Sequence, residues 1–485
     1  MFARRKIRER ARRQRGRERG IALVMVLGAL TILTVMLTET QDESSADFAS
    51  ALSARDALVA EYSARSAVNL TRLLIAAEPT IRTGVAPLLM MIAGGAAPPQ
   101  LPVWEHADAA LGAFNGGEGV AKFAKLASVE ATGGKNLGLS GGSFEVVVVD
   151  EDAKINVNAP ARGEAFSEVR LAAQLYGLMS GPQYDALFSS RDLDGQFSDR
   201  AAICSAIIDW ADPNQDQSVC DPNSVTAQQA APEDSYYDLL PRPYARKNAA
   251  FDSFEELRRV RGMSQDFWAT FVDPDPDDPR RRVMTVWGQG AVNVNTANAQ
   301  TIYALICAAA TPGAPVCTDP AEAQKFLMAF SMVREMIRNF AASAPLFGSP
   351  QVFVNALKGQ GMFGTALAAL GLQPITLKSE SETLKQIATE SKLFSIYATG
   401  RVKAGSRETV SRIHAVVDFR NAPPPGIDTR ALDAAAQIAG ALGSSSSSST
   451  GGGTAASGAG AGIEQAIMAV MKPSPGGNIV YYRVD

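Results

Sequence analysis

The sequence predicts an α+β fold: a long N-terminal helix, an antiparallel sheet completed near the C-terminus, and a large all-α domain inserted between them. Three observations carry that expectation. Residues 21–37 are apolar but for two threonines and carry no charge, and residues 38–77 contain no Gly or Pro, so one helix can run through both stretches. After residue 392, apolar and polar side chains alternate with period two. Between these ends, helical patterns are punctuated by Gly, Pro, Asn and Asp.

Charge defines the N-terminus. The chain has 485 residues and a net charge of −4, but residues 1–20 (MFARRKIRERARRQRGRERG) hold ten Arg or Lys against two Glu, leaving −12 on the remainder. A basic end on an acidic body is an electrostatic address, and it argues against a nucleic-acid surface. The apolar run 21–37 would be about 26 Å long as a helix, near the lower limit for crossing a bilayer. The preceding cations stay on the cytoplasmic side and put the bulk of the chain across the membrane. LTETQDESS follows the run without a small-x-small cleavage site, so processing is expected before it, between Gly20 and Ile21.

Pro79 supplies the expected stop of this first helix, which over 21–77 would be about 85 Å long. Phe48, Leu52, Val59, Tyr62, Leu70 and Leu73 fall within an arc of roughly 80°, a face expected to pack on the soluble part. Residues 79–142 are rich in Gly, Ala and Pro and show no period. GLSGG at 138–142 has G-x-S-x-G spacing but precedes the strand FEVVVVD, whereas a nucleophile elbow follows one. With only two histidines, His106 and His414, and no P-loop, zinc spacing or Cys-His nucleophile, no enzymatic activity is expected.

Two inserted segments repeat each other, INVNAPA at 155–161 and VNVNTANA at 292–299, and each leads into helical sequence. FEELRRVRGM at 254–263 has the look of a helix-hairpin, with Gly262 at its turn and Arg258, Arg259 and Arg261 nearby. The hairpin form is shared with DNA-uptake proteins, so the alternative reading is a membrane-anchored helix-hairpin-helix DNA-binding protein. The lone Gly262 and the missing basic-aromatic stripe disfavour it.

The acidic stretch IIDWADPNQDQSVCDPN, 207–223, places Asp212, Asn214, Asp216 and Ser218 at the alternate spacing by which a tight loop turns oxygens onto one hard cation. Gln217 and Asn223 replace the turn Gly and terminal Glu of an EF-hand loop, so a further carboxylate must come from Asp209, Glu233 or Asp234. Four cysteines, Cys204, Cys220, Cys307 and Cys317, permit three connectivities; the short spacings favour local bridges and an oxidising compartment.

Beyond residue 392, LFSIYATGRV and ETVSRIHAVVDF flank a hairpin turn, with Ile413, Ala415, Val417 and Phe419 on one face and Arg412, His414 and Asp418 on the other. The Ser/Gly-rich tract 443–462 reads as a flexible linker, and NIVYYRVD as a last strand.

A basic leader ending in Gly20 before a retained apolar helix resembles the class III signal of type IV pilins and type II pseudopilins. That resemblance implies a prepilin peptidase cutting before Ile21 and methylating it. Position five of the processed chain is Met25, where most of these proteins carry Glu; the lack of Glu is usual in the K pseudopilin of type II secretion systems. The order of leader, strand, inserted helical domain with a DW-x-D loop (Asp209, Trp210, Asp212), E-D-x-Y-Y segment (Glu233, Asp234, Tyr236, Tyr237) and sheet resembles the same K family. The resemblance implies calcium at the acidic loop and a pilin-like core carrying a sterile-alpha-motif-like insertion. It also implies a single-pass inner-membrane protein with its bulk periplasmic, at the tip of a pseudopilus. The implied partners are the minor pseudopilins I and J, the inner-membrane assembly platform and exoprotein substrates, with no nucleic acid.

The expected organisation is a leader (1–20), a transmembrane and extended helix (21–78), a variable insertion (79–142) and a core strand (143–154). The inserted helical domain (155–390), core strands (391–421), a low-complexity linker (422–477) and a final strand (478–485) follow.

Overall fold

The computed structural model describes residues 2–92, 99–115, 142–189, 197–220, 235–341, 345–422 and 476–485. The leader is helical in backbone and continuous with the apolar run: α1 spans Phe2–Ile92. Its stretch Gly20–Thr83 is long and apolar enough to cross a membrane, and no residue of its most apolar window is buried. The same helix then enters a core, where Ala60, Ala64, Ala67 and Thr71 are fully covered.

A four-stranded antiparallel sheet receives it, in the order β1-β6-β7-β8, with β1 at Gly142–Asp150, β6 at Leu393–Ala404, β7 at Arg407–Asp418 and β8 at Asn478–Val484. The inward face of the sheet contributes Phe144, Val146, Val148, Ile396, Ala398, Ile413, Ala415 and Val417 to the core with α1. Helix and sheet approach closely because both are small at the crossing. A Cβ on Gly400 would meet the Ala60 carbonyl oxygen at 1.9 Å, so only Gly fits there.

This crossing corrects the expected packing face of α1. Phe48, Tyr62 and Leu73 lie exposed, and the buried row is Ala60, Ala64, Ala67, Thr71 and Ile75. Small side chains win the sheet because they let the backbones meet; of the expected face, Leu52, Val59 and Leu70 are half-buried, Leu70 against the sheet core, and the other three point outward. Nor does α1 end at Pro79; it runs on to Ile92. Glu78 and Arg82 pair at 3.3 Å across the proline turn, Arg82 reaches Glu390 at 2.7 Å, and buried Glu78 accepts from the Leu101 amide at 2.8 Å. These contacts hold the turn whose backbone hydrogen bond Pro79 removes. Residues 99–115 then pack Trp104, Ala107 and Leu111 into the sheet core.

The inserted region contains two helical units, each opened by one of the sequence repeats. In the first, β2 (Ile155–Asn156) pairs in parallel with β3 (Met284–Thr285). In the second, β4 (Val292–Asn293) pairs in parallel with β5 (Ile387–Ala388). The Asn156 side chain accepts from the Asn158 amide at 2.9 Å, and Asn293 accepts from the Asn295 amide at 3.0 Å. Helices α2 (Ala165–Met179) and α3 (Arg200–Ala211) belong to the first unit; α4 (Ala299–Ala309) and α5 (Pro320–Ala341) belong to the second. The units meet where α2 crosses α4, with Gly177 so close that a Cβ would lie 2.5 Å from the Ala304 carbonyl oxygen.

The chain leaves the sheet at Asp150 and returns at Ser391, and three consecutive carboxylates hold these two crossings together. Asp152 accepts from the amides of Lys392 (2.7 Å), Leu393 (3.1 Å) and Gln289 (3.0 Å). Asp150 accepts from the hydroxyls of Ser391 and Thr296, and Glu151 from Thr285 and the Lys154 ammonium. All three acids are buried; burial and the neighbouring Asp152 charge push the Asp150 carboxyl up to about 7. The strand expected over 143–154 therefore ends at Asp150, and Glu151–Ala153 form a 3-10 turn.

Candidate functional site

The acidic loop begins inside helix α3, which delivers Asp209 and Trp210 from its last turn and leaves Asp212 as the residue that ends it. Asp199 caps the start of that helix by accepting from the Ala202 amide at 2.7 Å. Apolar Ile203, Ile207 and Ile208 bury its inner face, so the two carboxylates sit at a fixed edge of the first unit's core.

Asp209 accepts from the Ser218 amide at 2.8 Å, while Asp212 accepts through Oδ2 from the Asn214 amide group at 2.9 Å and the Ser218 hydroxyl at 3.5 Å. The Asn214 oxygen is engaged by the Asp216 amide at 2.7 Å. Asp212 is 0% exposed, and its Oδ1 is a buried oxygen with no hydrogen-bond donor. Burial first, then the charges of Asp209 and Glu168, push Asp212 up to about 7; burial likewise raises Asp209 to about 6. Arg246 donates to the Asp209 backbone carbonyl at 3.0 Å, and its charge offsets part of the repulsion.

Of the six ligands expected from the sequence, the structure brings Asp209, Asp212 and Asn214 together. Asp216 lies exposed, and Glu233 and Asp234 are outside the described residues. Among the described residues, no group of three or more His, Cys, Asp or Glu side chains stands close enough to hold an ion. What fits a hard cation is narrower than the loop pattern: two crowded carboxylates, one buried orphan oxygen and the Ser218 hydroxyl. Glu168, on α2, acts electrostatically on both carboxylates, and its distance in sequence hid it from any local motif.

The two tyrosines of the later segment do reach this site. Tyr237 stands edge-on to Trp210 with ring centroids 5.8 Å apart, Tyr236 lies edge-on to Tyr237 at 5.2 Å, and Phe251 stacks on Trp210 at 6.1 Å. Cys204 and Cys220 form a disulfide that closes the chain around the loop, with a sequence separation of 16. Cys307 and Cys317 form the second, with a separation of 10, in the other unit.

Segment 254–263 forms a short 3-10 helix, Phe254–Arg259, followed by a left-handed Gly262 whose Cβ would strike Ile203 at 2.4 Å. That turn is therefore packed against α3. Arg258 lies over the Trp268 ring at 3.8 Å, and Arg261 donates to the Phe197 carbonyl and the Ser198 hydroxyl. These cations serve internal contacts. At the other end of the molecule, Gly20, Ile21 and Met25 are all exposed along α1, with nothing within 4 Å of the Cβ position of Gly20.

Residues 153–271 match the protein family described as "Type II secretion system (T2SS), protein K". That interval contains both carboxylates of the loop, its disulfide and the surrounding aromatic rings. Among solved structures the chain is similar to "The Crystal Structure of the GspK-GspI-GspJ complex from enterotoxigenic Escherichia coli Type 2 Secretion System", at 15% identity and a TM-score of 0.34. The similarity covers 59% of this chain and 79% of that one. Comparison with curated proteins gives no match.

Proposed function

We propose that this chain, which matches the type II secretion system protein K family over residues 153–271, works as a minor pseudopilin anchored in the bacterial inner membrane with its bulk in the periplasm. The observation that carries this reading is one helix in two environments: α1 is bare over its apolar run and then buries one face, Ala60, Ala64, Ala67 and Thr71, against the sheet. A helix so divided suits a subunit stored in a bilayer and then drawn into a filament whose neighbours replace the lipid. In this reading a prepilin peptidase cuts between Gly20 and Ile21, and Met25 leaves position five without the acid that other subunits carry. The assembly platform then raises the chain to the tip with the I and J subunits. Its wide inserted units would prevent further subunits from adding above it, so that it caps the pseudopilus and supports exoprotein export. Calcium at Asp209 and Asp212 would fix the acidic loop, by neutralising two carboxylates that repel each other in a buried place.

Co-expression with a prepilin peptidase tests the reading. The mass should fall by the 20-residue leader, Gly20→Leu should stop the loss, and only the processed protein should restore export to a strain lacking the chain. An intact leader beside an active peptidase would overturn the assignment.

A further inference from the structure

The two edges of the sheet are treated differently. At the β1 edge, Asn115 imitates a neighbouring strand: its Nδ2 donates to the Phe144 carbonyl at 2.6 Å and its Oδ1 accepts from the Phe144 amide at 2.8 Å. Asp108 accepts from the next outward amide, Val146, at 3.1 Å. That edge is plugged by side chains. At the β8 edge, no described residue pairs with the outer side.

Register fixes which β8 groups point outward. Arg412 and Asp485 exchange both backbone hydrogen bonds, at 2.9 and 2.8 Å. In an antiparallel ladder hydrogen-bonded and non-bonded pairs alternate. The pairs Ile413–Val484 and Ala415–Tyr482 are therefore non-bonded, and Tyr482 and Val484 aim their N–H and C=O groups away from β7. Arg483 and a bulge at Val480 are the only protections that the described part of this edge carries, and no proline interrupts it. Ile479, Val480, Tyr482 and Val484 are apolar or aromatic and between 41% and 48% exposed.

Helix α1 runs beside that edge. Arg72 donates to the carbonyls of Gly476 and Gly477 at the start of β8, both at 2.8 Å, and Glu61 and Arg65 lie in electrostatic reach of Tyr482. On this flank, Leu58 and Tyr62 continue the outward stripe of Phe48 and Leu73, all 55% to 66% exposed. An unpaired strand edge and an uncovered helix stripe thus form one continuous surface. We propose that this surface docks the edge strand of one neighbouring subunit of like build, a membrane-rooted helix packed on a sheet. The neighbour's strand extends the sheet from β8 while its helix lies on the α1 stripe. The strand edge demands a backbone ladder, and the stripe, continuous with the bare membrane stretch of α1, demands a helix rooted in the same bilayer. With β1 plugged, the sheet extends in one direction only, as a subunit at the end of an assembly requires. The inference rests on the pseudopilin reading and deepens it.

The test uses the full chain in detergent with purified minor pseudopilins I and J. Amide exchange at Tyr482 and Val484 should be fast in the chain alone and at least tenfold slower when I and J are added. Tyr482→Pro removes one outward N–H without touching the β7 ladder, and Val484→Lys places a charge on the edge; either should cut recovery of the partner at least tenfold while melting stays unchanged. Partner binding with unchanged exchange and undisturbed variants would overturn the strand ladder and leave the pseudopilin reading intact. Protection in the isolated chain would show that another segment of the chain covers the edge. Protection that rises with its own concentration would assign the edge to a second copy. Either result overturns the proposal, and failure of I and J to bind at all would overturn both readings.

Discussion

Asn158 and Asn295 play the same part in the two inserted units. Asn158 donates to the Phe251 carbonyl at 3.0 Å and accepts from the Phe251 amide at 2.7 Å; Asn295 does the same to Phe347, at 3.0 and 2.8 Å. A side-chain amide that both donates and accepts matches a backbone peptide, so each asparagine pins a distant loop to the start of its unit. Each phenylalanine thereby held is buried, at 2% and 0% exposure. Each also donates to a second carbonyl, Val286 for Asn158 and Thr389 for Asn295, so replacing either with Ala leaves one backbone donor and two acceptors without that partner, at a cost of about 2–3 kcal/mol. Urea unfolding should show the loss for each variant. Asn→Asp, which keeps only the accepting half, should fall between Ala and wild type.

The close crossing of helix and sheet gives a second expectation. Gly400→Val puts a branched side chain against the Ala60 carbonyl, where no flexible neighbour can yield. We expect a loss of about 3 kcal/mol or more, with α1 displaced from the sheet. Limited proteolysis should then cut within 55–75, which the wild type protects. Equal protection in the variant would show that the helix tolerates the shift.

The repeats at 155–161 and 292–299 were legible in advance because Asn at fixed offsets forms the same local turn in each, but the expected single inserted domain is built as two units, one opening at each repeat. The long apolar helix was equally plain, since residues 21–37 carry no charge and residues 38–77 no Gly or Pro. The helix face was misjudged for a physical reason: hydrophobic periodicity finds the large residues, but a glycine-bearing strand selects the small ones. The carboxylates of Asp150, Glu151 and Asp152 were hidden because their partners, Ser391, Lys392 and Thr285, lie more than a hundred residues away. Glu168 was missed in the same way. At the loop, the alternate-oxygen spacing named Asp212 and Asn214 and also Asp216, which the fold leaves exposed.

The buried orphan oxygen of Asp212 makes a calcium prediction with two signs. In chelator, Asp212→Asn removes a repulsive charge from beside Asp209 and should leave melting equal to or above wild type. With calcium at a hundredfold excess over Kd, wild type should gain about 2.7 kcal/mol and the variant far less. Magnesium should act weakly, because it gives up water reluctantly. A wild-type melting curve indifferent to calcium and chelator would reduce the loop to a strained acidic turn. Opening Cys204–Cys220 by substitution to Ser removes a closed ring of 16, worth about 3 kcal/mol in the chain-entropy model. It should also weaken calcium binding, because the disulfide ring encloses Asp209, Asp212 and Ser218.

His414 supplies the pH dependence. On its strand face the ring stacks on Tyr397 with centroids 4.1 Å apart, lies 5.2 Å from Tyr481 and shares a hydrogen bond with Ser395. The inserted region covers these neighbours through Arg282, which donates to the Tyr397 hydroxyl at 3.2 Å, and Trp287, 5.6 Å from Tyr481. Burial lowers its pKa to about 4, with the Arg282, Lys154 and Arg483 charges acting the same way and Glu151 opposing. The unfolded ring titrates near its ordinary value of about 6.5. Above that value neither state is charged and this group contributes no slope. Between about 6.5 and 4 the unfolded state takes up a proton that the folded state refuses, so stability falls as pH falls, and below 4 the loss levels off. The full shift corresponds to about 3 kcal/mol, reduced toward about 2 because the ring is only half-buried. Urea unfolding of wild type and His414→Gln at pH about 7 and about 4.5 measures this group alone, since all other titrations are common to both. Wild type should lose about 2 kcal/mol more than the variant on acidification. Equal losses would mean that the inserted region does not cover the strand face in solution.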